Sequence, residues 1–476
     1  MKVLSFILIF FILSQPLSYS ALVGSSLQEF DVNKNAESST LSKLIIYQAS
    51  SVNACAFIQK TIDVKDYGFS SNRLFRFLSD ASLNLNSTII NNLGNIAEKA
   101  YSILVSFFNA TPYDQSKEGF INVAIANLNE AYNRSQVFVA GYTIPKEDPN
   151  NKSIIYLDSY HVLTSSYNDT YVLFAHELFH LIQASVINIS SHEDWVIEGT
   201  AVFASDLAIK GYSPLYNSIY LAYNKFNVSL RTPAQCLSLD AYIADYLIAP
   251  TFFEFLAEKY GNSAISKLLW KLKGNSDIRA LEIVSNTTFD RLFSEFAVWN
   301  YLGLYHGTEY TFEKVKIYAF PLTSLVLNST YANSIAPLSI HYIRILAQRD
   351  AILDINYQGN LNFIIIKIKG NRLSNNFTYE VSYIKNEKYI FISNVKEYNE
   401  IVLGIVNTES NNINYSIILL PSNLTLYTIT FTKTEIKEIP NANLLAILIF
   451  ATIITFLALF LILFRRRLSK VFSQET

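Results

Sequence analysis

Apolar residues recur along the chain with two periods, and the change of period divides it. Between Ile89 and Phe108 they fall three and four residues apart, as on one face of a helix, and Leu74–Leu78 reads the same way. From residue 120 the runs shorten. Phe120–Ala126, Val137–Tyr142 and Ser153–Leu157 are rich in β-branched and aromatic residues, which predicts strands, with a turn-rich break over Pro145–Asn151. Asn168 to about Gly307 predicts mostly helix. Beyond Tyr310 short strand-like runs return, separated by Asn, Gly and Ser: Ala351–Tyr357, Asn362–Ile368, Thr378–Ile384, Tyr389–Ile392, Ile401–Val406, Asn414–Leu420 and Leu426–Phe431. That spacing predicts an antiparallel β-sandwich.

The two ends carry longer apolar runs. Lys2, the apolar stretch Val3–Leu13 and the small-x-small triplet Ser18-Tyr19-Ser20 predict a signal peptide over 1–20. Leu444–Phe464 is uncharged and long enough for a transmembrane helix, which needs about 20 residues. Arg465, Arg466, Arg467 and Lys470 follow it, and excess Arg and Lys marks the cytoplasmic side. The expectation is a single-pass cell-membrane protein with its body outside, a polar stalk at 433–443, a membrane helix at 444–464 and a cytoplasmic tail at 465–476.

Composition adds little except by exclusion. The formal charge is −2 and 16% of the residues are charged, so no basic patch points to a nucleic-acid partner. Asn-x-Ser/Thr sequons run from Asn86 to Asn423, between the two apolar ends, and predict N-glycans on an exterior protein. Cys55 and Cys236 lack metal-ligand spacing. They read as one disulfide or as two buried thiols.

Chemistry concentrates in Tyr171-Val-Leu-Phe-Ala-His-Glu-Leu-Phe-His-Leu-Ile-Gln183, which Asn168-Asp169-Thr170 precede as candidate helix caps. On a helix His176 and His180 are four apart and point the same way, so both imidazoles can hold one Zn²⁺. Glu177, beside the first, can take a proton from a water that the metal acidifies, and the hydroxide attacks a peptide carbonyl. Catalytic zinc commonly takes three protein ligands. Trp195-Val-Ile-Glu198-Gly199-Thr200-Ala201 offers Glu198 as the third, and small Gly199 and Ala201 permit close helix packing. His192, in a polar loop, is the weaker competitor.

His176-Glu177-Leu178-Phe179-His180 followed by Trp195-x-x-Glu198-Gly199-x-Ala201 resembles the gluzincin metallopeptidases, the clan of the thermolysin-like enzymes and the zinc aminopeptidases. The resemblance implies His176, His180 and Glu198 as ligands of one catalytic Zn²⁺ and Glu177 as general base. It implies an α+β fold: a zincin-like catalytic domain, made of a twisted sheet and a helical half with the active-site helix, over 111–309. A helical lead-in or pro-segment (21–110) precedes it, and the β-sandwich-like domain (310–432) and the membrane helix follow. The clan supplies a Tyr or His to the transition state, for which Tyr246 and Tyr242 are the candidates. Peptide or protein substrates would lie along an edge strand, either Val137–Tyr142 or Ser153–Leu157. There are departures. The sole Met is Met1, so the Gly-x-Met-x-Asn stretch of the aminopeptidases is absent and an endopeptidase is expected. Val202 replaces the Asp that follows the ligand Glu by four in thermolysin-like enzymes, which leaves Asp206, Asp194 or Asp169 to orient a histidine. The alternative reading is a catalytically inactive cell-surface glycoprotein with a structural or adhesive role.

Overall fold

The computed structural model describes residues 7–10, 42–50, 57–115, 117–130, 138–146, 148–209, 226–232, 240, 243–303, 319–370 and 377–422. The first half is a mixed sheet with helices on it. Its strands are β1 (Ile7–Phe10), β2 (Lys43–Ala49), β3 (Phe57–Phe69), β4 (Phe75–Asp80), β5 (Ile121–Ala126), β6 (Phe138–Thr143) and β7 (Ile154–Asp158), in the order β1-β6-β7-β5-β4-β3-β2. β4, β5 and β7 run parallel, and the flanking pairs are antiparallel. β5 and β7 are buried at every position, which explains their unbroken apolar runs.

The helices are α1 (Ser87–Phe108), α2 (Ser159–Thr164), α3 (Tyr167–Val186), α4 (Asp194–Ile209), α5 (Ala249–Tyr260), α6 (Ser263–Leu272), α7 (Asp277–Ser285) and α8 (Phe289–Leu302). α1 starts where the Asn86 side chain accepts from the Ile89 amide. It ends at Asn109 in the left-handed conformation, and it buries Leu93, Ile96, Ala97, Ala100, Leu104 and Phe108. α3 is central and buried on nearly all sides, between α1, α4 and strands β6 and β7. Its cap is Ser166, upstream of the predicted trio. Ser166 accepts from the Asp169 amide while the Asp169 carboxylate accepts from the Ser166 amide, and this reciprocal box fixes the start. A short π-helical stretch, Ala244–Ile248, leads into α5.

The remaining strands are β8 (Thr323–Val326), β9 (Thr330–Ile335), β10 (Ser339–Leu346), β11 (Ala351–Tyr357), β12 (Asn362–Gly370), β13 (Phe377–Lys385), β14 (Tyr389–Ile392), β15 (Glu400–Asn407) and β16 (Ile413–Pro421). They form a five-stranded sheet, β13-β12-β15-β10-β8, and a four-stranded sheet, β14-β11-β16-β9. Phe363, Ile365, Leu403 and Ile405 face the four-stranded sheet in one core. Ile364, Ile366, Ile368, Val402 and Val406 join the core of the helices instead. All described residues lie in one unit, Met1–Asn423.

Three expectations are corrected. The predicted architecture closed on a membrane-crossing helix. Among the described residues no helix is long and apolar enough to cross a membrane, and 444–464 lies outside them, as do the stalk and tail. The described fold is therefore one of mixed sheets and helices. The expected sandwich is not purely antiparallel, because β8 pairs with β10 in parallel, and its five-stranded sheet lies between α8 and the four-stranded sheet. Leu74–Leu78 is strand, not helix. Five residues are too few to separate the two periods, and β4 pairs with strands on both sides. Of the predicted leader only β1 is described, and Cys55, Cys236 and Leu426–Phe431 lie outside the described residues.

Candidate metal centre

The period of α3 brings His176 and His180 onto one face, with Nε2 atoms 3.0 Å apart. α4 lies against α3 and delivers Glu198, whose Oε2 is 3.2 Å from His176 Nε2 and 3.6 Å from His180 Nε2. All three side chains are buried. The close approach of α4 to the next helix depends on Gly199. A Cβ there would stand 2.7 Å from both Ala249 Cβ and Phe253 Cε2. Trp195 stacks on Phe253, with ring centroids 5.7 Å apart. Three converging ligand atoms of this spacing can hold a metal ion.

Glu177 sits beside them, fully buried. Both its carboxylate oxygens lack a hydrogen-bond partner among the described residues, as does His176 Nδ1. Buried polar groups are normally paired, so these atoms are exceptions to that rule. Burial, then the negative charge of Glu198, pushes the Glu177 carboxyl well above the usual range. Burial holds the His176 imidazole down to about 4, in the neutral form a metal ligand requires. Burial works to raise Glu198 too, but the imidazoles of His180 and His176 outweigh it and hold the carboxyl at about 2.

The π-helical stretch carries two further buried groups to the site. Tyr246 lies with its ring centroid 6.1 Å from that of His176. Burial, then the charge of Glu198, raises its hydroxyl, which also hydrogen bonds to Glu198. Asp245, beside it, is buried with both oxygens unpartnered among the described residues, and burial followed by Glu198 and Asp194 pushes it well up. Strand β6 passes close by: a Cβ on Gly141 would be 3.5 Å from Glu177 Cγ and 2.9 Å from the Tyr156 carbonyl oxygen.

The structure thus brings His176, Glu177, His180, Glu198 and Tyr246 together. Tyr242 lies outside the described residues. His192 is elsewhere, with Nδ1 2.6 Å from Asp277 Oδ1. Asp169 serves the α3 cap. The group bonded to His180 Nδ1 is Gln183, at 2.7 Å, which sequence reasoning passed over. The signal was its position three residues after a ligand, on the same helical face. Of the two candidate edge strands, β7 is interior, while β6 is covered on its outer side by β1, with Leu8 opposite Gly141.

No protein-family model matches the sequence, and no curated protein matches it. Among solved structures, a family GH115 4-O-methyl-alpha-glucuronidase with specificity for decorated arabinogalactans shares 10% identity over 66% of this chain and 54% of that one, with a TM-score of 0.15. This chain covers about half of that structure's length, and a likeness so slight carries no argument.

Proposed function

We propose that the protein is a zinc-dependent peptidase, acting as an endopeptidase. The observation that carries the reading is the buried trio His176, His180 and Glu198 with the unpartnered Glu177 carboxyl beside it. Tetrahedral zinc with ligands at about 2.0–2.2 Å spaces them about 3.3 Å apart. The three ligand atoms here are separated by 3.0, 3.2 and 3.6 Å. Two imidazoles and one carboxylate suit that ion.

Bound zinc would supply a Lewis acid for water activation and carbonyl polarisation. The residues do the rest. Glu177 accepts the proton of the attacking water and returns it to the departing amine. Tyr246, its hydroxyl held protonated, donates to the developing oxyanion. Gly141 keeps β6 close to Glu177.

The test is zinc content of the purified chain together with hydrolysis of unstructured peptides. About one zinc per chain is expected in wild type and Glu177→Gln, with loss in His180→Ala. Glu177→Gln should abolish hydrolysis without releasing metal. A folded wild-type protein that takes up no zinc, even when incubated with it, overturns the reading.

A further inference from the structure

The two ligand histidines are held differently. Nothing among the described residues meets His176 Nδ1, whereas His180 Nδ1 lies 2.7 Å from Gln183 Oε1. The other end of the Gln183 amide fixes which atom is which. Its nitrogen donates to the Ile197 carbonyl oxygen at 3.0 Å and to Thr200 Oγ1 at 2.9 Å. A backbone carbonyl accepts only, so the group facing it must be NH₂, and Oε1 must face the ring. Thr200 donates its own proton to the Val196 carbonyl at 2.7 Å, which leaves a lone pair for Gln183. The chain of bonds has one direction: His180 Nδ1–H to Gln183, Gln183 to Thr200 and Ile197, Thr200 to Val196. Backbone carbonyls of α4 set every orientation in it.

Two consequences follow. An amide oxygen cannot donate, so His180 carries its proton on Nδ1 and presents the Nε2 lone pair to His176 and Glu198. Ile197 and Thr200 also flank Glu198, so the amide ties the histidine of α3 to the segment of α4 that supplies the third ligand. Carboxylates commonly fill such a place. Gln183 gives the same acceptor without charge, and so leaves the positive charge of a divalent ion undiminished beyond what Glu198 removes.

We propose that Gln183 is a positioning residue for metal binding: it selects the Nδ1–H tautomer of His180 and locks that ring to the Glu198 segment of α4. The inference rests on reading the trio as a zinc centre. Zinc affinity is measured by chelator competition on the full chain, beside melting of the metal-free protein. Gln183→Met, similar in length but without an acceptor, should bind zinc about 10–100-fold more weakly. Equal zinc affinity in wild type and a folded Gln183→Met protein overturns the proposal. ¹⁵N–¹H correlation spectra of the wild-type imidazoles, assigned with His180→Ala, read the tautomer without any Gln183 variant. An Nε2–H form for His180 overturns the proposal. A wild-type chain with the Nδ1–H tautomer that takes up no zinc fails the zinc reading instead.

Discussion

At the scale of single residues, His176 and His180 of one helix meet Glu198 of the next, and Gln183 ties His180 to that second helix. His176 and His180 announce themselves because four residues on a helix is a fixed geometry, and Glu198 because it follows them in a recognisable motif. Gln183 carries no charge, and its partners Ile197 and Thr200 sit on another helix, so its spacing from His180 alone did not single it out. Tyr246 could not be told from Tyr242 in a chain of 31 tyrosines; Tyr246 lies beside His176, and Tyr242 lies outside the described residues. A second buried polar cluster lay beyond sequence reasoning altogether. Tyr156 donates to Asp148 Oδ2 at 2.8 Å, the Asn150 amide donates to Oδ1 at 2.8 Å, and Tyr142 stacks on Tyr156. Burial pushes the Asp148 carboxyl up to about 6 from an ordinary 3.8. A raised folded pKa means that the folded state binds the proton more tightly. The contribution is fully present below about pH 4 and is lost as pH rises through about 6, amounting to about 3 kcal/mol at most. Asp148→Asn removes the titration, and its amide nitrogen can donate to the Tyr156 hydroxyl, which has the Ile45 carbonyl to turn to. Urea unfolding of both proteins at pH 4, 5, 6 and 7 should show the wild type losing ground to Asp148→Asn across that interval. A constant difference would refute the assignment.

At the scale of elements, sequence periodicity serves runs long enough to show their period and fails on the shortest. α1 and α3 start and stop close to where the apolar spacing and capping residues predict, and β11 to β16 match runs read from the sequence. β4 was misread because Phe75, Arg76, Phe77 and Leu78 are all buried. Arg76 is paired with Asp66 at 2.6 Å, so the polar position that would mark alternation is itself inside. β8, β9 and β10 were missed; Ser339-Ile-His-Tyr-Ile-Arg-Ile-Leu346 alternates only in part, and His341 is buried against the Tyr415 hydroxyl at 2.8 Å. Gly199 was legible as a packing glycine, and the structure names what it packs against. A methyl group there would strike Ala249 and Phe253 at 2.7 Å, and these belong to the helix that the π-helical stretch with Tyr246 leads into. Gly199→Ala should therefore force α4 from α5 and cost about 1–3 kcal/mol in urea unfolding. Because Glu198 precedes Gly199, zinc affinity should fall as well. Unchanged stability would mean that α4 and α5 separate freely, and that Glu198 is not held by this contact.

At the scale of the whole molecule, the β-rich half looks separable in sequence and is not separable in packing. The five-stranded sheet alternates between two cores: Phe363, Ile365, Leu403 and Ile405 toward the four-stranded sheet, Ile364, Ile366, Ile368, Val402 and Val406 toward the helices. Polar contacts cross the same boundary. Tyr342 donates to the Ala297 carbonyl at 2.7 Å, Tyr301 to Glu400 at 2.8 Å, and Lys385 pairs with Asp290 at 2.6 Å. With Leu338, Ile340 and Tyr342, eight apolar side chains of the later half are buried in the core of the helices that carry His176, His180 and Glu198. At about 1.5–3 kcal/mol for each buried side chain, that is on the order of 10–20 kcal/mol, as much as the whole net stability of a domain, about 5–15 kcal/mol. A chain ended at residue 303, after α8, should therefore not fold, and should neither melt cooperatively nor retain zinc. Calorimetry of the full chain should show one transition through both halves. Ile366→Asp, far from the ligands in sequence, should lower that single transition and weaken zinc retention with it. A truncated chain that binds zinc and melts sharply, or an Ile366→Asp protein that unfolds in two steps with its metal site intact, would make the second half an accessory module rather than part of the scaffold of the site.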